Sequence, residues 1–252
     1  ETEVAAFLDS YADTPLANSL RLQWLKQLAS QNRPQAFIKF DKPIKDVGLD
    51  CLRLRMRLVG GYPRHQVFKD VDKVWLTERS LPDSCDALIK DWRRAGRLSD
   101  ALLWQRLELA AQAGNTDLLI YMRSLMPKRE QYMADLWRAA LTSPSTLTSQ
   151  KYFKGKSPKE REILMFGIKR FARQDSLHAL AMWEKLQRRF HFTDDQQQEV
   201  TRALALAMSG GSRPQAEAWL AKVKDAHVDN EVREWRIRFA LKNGDWQTVR
   251  KT

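Results

Sequence analysis

Apolar residues in this chain recur at the helical spacing i, i+3, i+4, i+7, and short glycine-bearing breaks cut that pattern into helix-length pieces. Cys85, Leu88, Ile89 and Trp92 form one stripe. Ala179, Met182, Trp183 and Leu186 form another, continued by Phe190. Ala216, Trp219, Leu220 and Val223 make a third, and Ile163, Gly167, Ile168 and Phe171 come close to a fourth. The breaks are Gly60-Gly61, Ala95-Gly96-Arg97, Ala113-Gly114-Asn115, Ser209-Gly210-Gly211 and Asn243-Gly244-Asp245. Gly60 to Gly96 is 36 residues and Gly210 to Gly244 is 34, the length of one helix–turn–helix unit in a solenoid. No strict consensus recurs, so the pattern predicts a degenerate helical repeat and not a tetratricopeptide array proper.

Helix starts are equally legible. Ser157-Pro158-Lys159-Glu160 places a capping serine, a proline at the first helical position and a glutamate at the third. Ser212-Arg213-Pro214-Gln215 and Thr193-Asp194-Asp195-Gln196 repeat that logic, and Thr14-Pro15 starts a helix near the N-terminus. Leu52 to Leu58 alternates with period two, which is a strand signature, but a lone strand finds no partner in this sequence. A helix is the better expectation there. Ten glycines and nine prolines fall well below the roughly 30 that average usage gives a chain of 252 residues, which disfavours β-rich and phosphate-loop folds. The prediction is an all-α superhelical solenoid of about fourteen to sixteen short helices in antiparallel pairs, occupying residues 1–252 without a domain boundary. Its nine tryptophans are then needed mostly as core. The wettest segment, Thr142 to Lys156, reads as a long inter-helix turn.

With 43% hydrophobic and 29% charged residues, the chain is globular, and no run of eighteen apolar residues predicts a membrane span. It opens at Glu1 with no basic or apolar leader and stops at Thr252 inside what reads as a helix, so a fragment or processed form is expected. The net charge of +12 favours an anionic partner without naming it. His65, His178, His191 and His227 are scattered, no Cys-x-x-Cys or His-Glu-x-x-His occurs, and no glycine-rich phosphate loop appears. Asp194 and Asp195 sit at a helix start, where capping and the helix dipole account for them. No catalytic residue, metal site or cofactor is therefore assigned. Arg93-Arg94, Lys169-Arg170, Arg188-Arg189 and Arg233/Arg236/Arg238 are spread along the chain and fit solvated faces better than a nucleic-acid surface.

Cys51 and Cys85 lie 34 residues apart on helices separated by a single helix. In a solenoid such helices are neighbours, so a bridge is possible, and two free buried thiols are equally compatible with the residues.

Ser80-Leu81-Pro82-Asp83-Ser84-Cys85-Asp86-Ala87-Leu88, with Trp92-Arg93-Arg94-Ala95-Gly96 after it, resembles the N-terminal region of the soluble lytic murein transglycosylases of Gram-negative bacteria. Leu107-Glu108-Leu109-Ala110-Ala111-Gln112-Ala113-Gly114-Asn115-Thr116 extends the resemblance, as do Phe7 to Leu28, the surroundings of Cys51 and Arg236 to Gly244. It is sharp from about Trp75 to Leu119 and diffuse elsewhere. The resemblance implies the family's U-shaped α-superhelical domain, with the linker and lysozyme-like catalytic domains absent. Such enzymes cleave between N-acetylmuramic acid and N-acetylglucosamine and leave a 1,6-anhydromuramoyl end, using one glutamate as acid and then base. That glutamate lies in a Glu-Ser dipeptide, with Gly-Leu-Met-Gln and Ala-Tyr-Asn-Ala-Gly downstream, and none of these occurs here. No catalytic position carries over, and the chain alone is expected to be inactive. The resemblance does imply a Cys51–Cys85 disulfide and a periplasmic location.

The implied partners are peptidoglycan glycan strands and stem peptides, reached through the full-length enzyme, with other cell-wall enzymes left open and no nucleic acid expected. The competing readings are a helical-repeat adaptor for an acidic protein partner and, behind it, a basic nucleic-acid binder.

Overall fold

The computed structural model of the chain describes all residues except 13, 149–152, 154–156 and 252. Among the described residues it has fifteen α-helices, three short 3-10 turns and no strand. The all-α expectation holds. The chain divides into two compact units, Glu1–Leu125 and Met126–Thr252. The first holds α1 (Thr2–Ser10), α2 (Pro15–Ser30), α3 (Pro34–Phe40), α4 (Val47–Val59), α5 (Arg64–Trp75), α6 (Asp86–Arg94), α7 (Asp100–Gln112) and α8 (Thr116–Leu125). The second holds α9 (Gln131–Thr142), α10 (Pro158–Ala172), α11 (Ser176–Arg189), α12 (Asp194–Gly210), α13 (Ala216–Ala221), α14 (Asn230–Lys242) and α15 (Trp246–Lys251). Within each unit most helices pack on their successor and often on the helix after that: α2 on α4, α4 on α6, α5 on α7, and in the second unit α10 on α12 and α12 on α14. This is how stacked helix pairs bury their apolar faces.

The glycine-bearing breaks do one physical job. At six helix ends the chain turns through a residue of positive φ, and the following N–H reaches back five residues to a carbonyl that the helix leaves unpaired. The bonds are Arg33 to Leu28, Tyr62 to Arg57, Arg97 to Trp92, Asn115 to Ala110, Arg213 to Met208 and Asp245 to Ala240. Glycine holds the turning position at 61, 96, 114 and 244, whereas Asn32 and Ser212 hold the other two. Ser212 therefore closes α12 (φ 51°) and does not cap the next helix, contrary to what its Ser-x-Pro context predicts. Helix α13 starts at Ala216 with no side-chain cap at all.

Other starts behave as read. Thr14 accepts from Ala17 N at 3.2 Å, and Thr193 and Gln196 form a reciprocal capping box. Ser157 caps α10 through Lys159 N, but Glu160 does not reach back to it. Its carboxylate is buried and accepts from the Tyr132 hydroxyl at 3.0 Å, a stronger bond in a dry site than a rim contact.

The alternating stretch lies in α4, and its pattern has a packing cause. Helix α4 is touched by α2, α3, α5, α6 and the turn at Asp83–Cys85, so Cys51, Leu52, Leu54 and Met56 are all buried. Its arginines escape sideways: Arg53 makes a two-pronged pair with Asp41 (2.6 and 2.7 Å). The four stripes named above are buried, with Trp219 and Phe171 half-exposed. Trp75, Trp92, Trp137 and Trp183 are core, four other tryptophans are half-buried, and Trp246 is 64% exposed. Part of the segment expected to be a wet turn lies outside the described residues, but Leu147 and Phe153 within it are buried. Leu147 presses on α10 at Gly167, where a Cβ would sit 2.1 Å from its Cδ1.

Cys51 and Cys85 are joined, with Cα atoms 5.0 Å apart and both side chains buried. The link fastens the turn before α6 to the middle of α4 and closes a loop of 34 residues. On the chain-entropy account such a loop is worth about 3–4 kcal/mol. We expect Cys51→Ala/Cys85→Ala to lower the unfolding free energy by that amount in urea, with the fold retained. A change below about 1 kcal/mol would show that the reduced unfolded chain is already constrained.

Candidate functional site

Helix α7 has a buried stripe of Leu103, Arg106, Leu107, Ala110 and Ala111. The arginine occupies a position that the helical period sends into the core. It is 1% exposed. Its guanidinium lies 4.0 Å from the centre of the Trp75 ring, and Nη2 donates to the Arg79 carbonyl at 3.1 Å. Nε has no acceptor, and among the described residues no carboxylate pairs with this cation. Burial pulls its pKa down from 12.5 to about 10, and the nearby Tyr121 side chain opposes that only in part.

Arg106 lines a cleft of about 300 Å³ in the first unit. Trp75 at the end of α5, Ser80 and Leu81 in the loop after it, Asp86 and Ile89 of α6, and Leu118 and Tyr121 of α8 form the rest of its wall. Each part is anchored. Trp75 Nε1 donates to Leu102 O (3.3 Å), and its ring packs on Trp92 with centroids 5.4 Å apart. Trp92 Nε1 in turn donates to Asp72 Oδ1 at 2.7 Å, and Asp72 also holds Arg97 at 3.0 Å. The loop from Leu76 to Pro82 is strapped down by Arg106 at the Arg79 carbonyl and by Asn115, whose Nδ2 donates to Glu78 O at 3.1 Å. Its far end enters the turn that carries Cys85. The result is a small cleft with aromatic and aliphatic walls, a cation in one wall and a carboxylate in another.

The second unit has a larger cleft of about 690 Å³ among α13, α14 and α15. Both cations in its wall, Lys224 and Arg236, are already engaged, Lys224 with Asp194. Arg236 Nη2 donates to Leu220 O (2.9 Å) and Val223 O (2.6 Å), closing the end of α13. The buried carboxylate Glu160 borders none of these clefts. Asp194 pairs with Lys224 at 2.6 Å and Asp195 lies 3.3 Å from His227 Nε2, so both contact residues that follow α13. His178 turns onto Asp175 at 2.5 Å, and that bond holds the Asp175 carboxyl below its usual range. Among the described residues no group of three or more His, Cys, Asp or Glu side chains comes together as a metal site. Arg106 was not singled out by the sequence reading. The signal was there: a charge at i+3 in the stripe Leu103, Arg106, Leu107, Ala110.

A family model described as Cucumovirus coat protein matches residues 58–145. That stretch begins near the end of α4, ends inside a 3-10 turn and crosses from one compact unit into the other, so it corresponds to no structural unit. The soluble lytic murein transglycosylase of Escherichia coli K12 is 27% identical over 245 residues, covering 96% of this chain and 38% of that protein. The Salmonella typhimurium enzyme of the same description matches with the same identity and coverage. Among solved structures, an inactive mutant of the lytic transglycosylase Slt from Pseudomonas aeruginosa superposes with a TM-score of 0.81 at 27% identity, covering 98% of this chain and 40% of that one. The 70 kDa soluble lytic transglycosylase of E. coli gives 0.80 at 23% identity and shares the fold. This chain therefore spans under half the length of the relatives it matches.

The Tyr132–Glu160 contact makes a prediction of its own. Burial first, and then the hydrogen bond to Glu160, push the Tyr132 hydroxyl from 10.0 up to about 12. Because the folded value is the higher one, the stabilisation is fully present below pH 10 and is lost as pH rises toward 12. Alkaline titration followed by tyrosinate absorbance should show one late step, and Tyr132→Phe should remove it. A late step that persists in the variant would reassign it.

Proposed function

We propose that this chain, whose homologues are the soluble lytic murein transglycosylases, is the non-catalytic superhelical domain of a periplasmic enzyme of that kind. The observation that carries the reading is the superposition with the P. aeruginosa enzyme over 98% of this chain but only 40% of that protein. A match of that form is what a scaffold domain gives against a larger enzyme. Cleavage of the glycan between N-acetylmuramic acid and N-acetylglucosamine, with formation of the anhydro end, is assigned to parts of such an enzyme outside these residues.

The chemistry supports that division. Breaking a glycosidic bond needs an acid beside the leaving oxygen, held in a cleft with its pKa raised. Glu160 is buried but is held by Tyr132 and borders neither of the two clefts. The carboxylates that do border these clefts are all exposed: Glu217, Asp225 and Asp245 around the larger one, and Asp86 in the first turn of α6, where the helix dipole favours its charged form. What the domain supplies is rigidity and a net charge of +12, which raises the local concentration of an anionic polymer. A disulfide between two buried cysteines accords with an oxidising compartment.

Incubation of this chain with purified sacculi should release no anhydromuropeptides above a heat-inactivated control by mass spectrometry. Release of such products would place a catalytic acid within these residues and overturn the reading.

A further inference from the structure

We propose that the cleft around Arg106 is a binding subsite for the free carboxylate of a short peptide that ends in a small apolar residue. Arginine presents five N–H donors in a planar fork that matches a carboxylate with two parallel bonds. Here, among the described residues, a single donor, Nη2, is used by the protein, at the Arg79 carbonyl. The guanidinium is nevertheless taken almost wholly out of water, at 1% exposure. A cation so placed without a counter-charge carries a desolvation penalty that its stacking on Trp75 offsets only partly. An anion entering the cleft supplies what the protein leaves out.

The walls select what comes with that anion. Leu81, Ile89, Leu118 and the Trp75 ring are apolar, so a side chain beside the carboxylate must be apolar too. A volume of about 300 Å³ is the lower end for ligand sites and holds an amino-acid residue or two, not a sugar strand. Asp86 lines the same cleft and is exposed, which suits the free amine of a dipeptide, one peptide unit away from the carboxylate. A phosphate or sulfate fits the guanidinium but is repelled by Asp86. A dipeptide, with its carboxylate at Arg106 and its free amine at Asp86, satisfies both walls.

The subsite rests on the cleft alone. Only the configuration of the bound residue rests on the cell-wall reading, since a stem peptide offers D-residues at its end and a ribosomal chain offers L-residues. The test is titration of the protein with D-alanyl-D-alanine, L-alanyl-L-alanine and their C-terminal amides, followed by the indole N–H signals and tryptophan fluorescence. We expect at least one of the two acids to perturb Trp75, and both amides to bind at least about tenfold more weakly, as loss of a charge-assisted pair requires. Arg106→Met should abolish the response while circular dichroism and the urea midpoint report an intact fold. Should that variant fail to fold, Asp86→Asn at the exposed rim supplies the second arm. It should weaken the free-amine dipeptide several-fold and leave the N-acetylated one unchanged. Preference for the L-form would retain the subsite and count against the cell-wall reading. Acids and amides binding alike, or no response to any of them at about 10 mM, would overturn the subsite itself.

Discussion

The first unit is organised around a guanidinium taken out of water with no carboxylate beside it. Arg106 sits where the period of α7 demands an apolar side chain, and its surroundings are arranged to tolerate it. Trp75 gives it an aromatic face, the Arg79 carbonyl takes one donor, and the loop that presents this carbonyl is held by Asn115 and ends in the disulfide turn. Loop, bridge and tryptophan pair are thereby linked. Loosening the turn at Cys85 frees the chain that roofs the cleft, and moving Trp75 removes the face on which the cation rests. A purely structural solution would have placed leucine at 106, with full burial and no desolvation penalty.

The second unit treats its buried polar groups differently. Glu160 is met by Tyr132, and Arg236 by two carbonyls at the end of α13. There the polar atoms are internal fasteners, and Gly167 lets α10 come close to Leu147 without a Cβ between them. The contrast separates polar groups that hold the fold from one left available to a ligand.

Much of the fold was legible because local physics decides it. Helical stripes, caps and the glycines at 61, 96, 114 and 244 act within a few residues, and the structure uses them as read. The failures have non-local causes. Ser212 looked like a cap because a proline follows two residues on, yet the closing turn of α12 claims it. Glu160 looked like half of a capping box until Tyr132, 28 residues away, took its carboxylate. The alternation in α4 arises because five neighbours surround that helix, which no window of its own sequence displays. The cleft was harder still: its walls come from four helices and a loop, and only the misplaced charge at 106 marked it. The family resemblance was sharpest between Trp75 and Leu119, the stretch that supplies all of these walls except Tyr121.

The central claim is that Arg106 is held in the core at a cost to stability because it serves binding, not because it holds the fold. Urea unfolding of Arg106→Met tests this most directly. Methionine fills the space with an apolar chain, loses one hydrogen bond and the stacking on Trp75, and removes the desolvated charge. The account predicts an unfolding free energy that rises or stays within about 0.5 kcal/mol of the parent. A loss above about 2 kcal/mol would contradict it and make Arg106 a strut for the loop at Arg79.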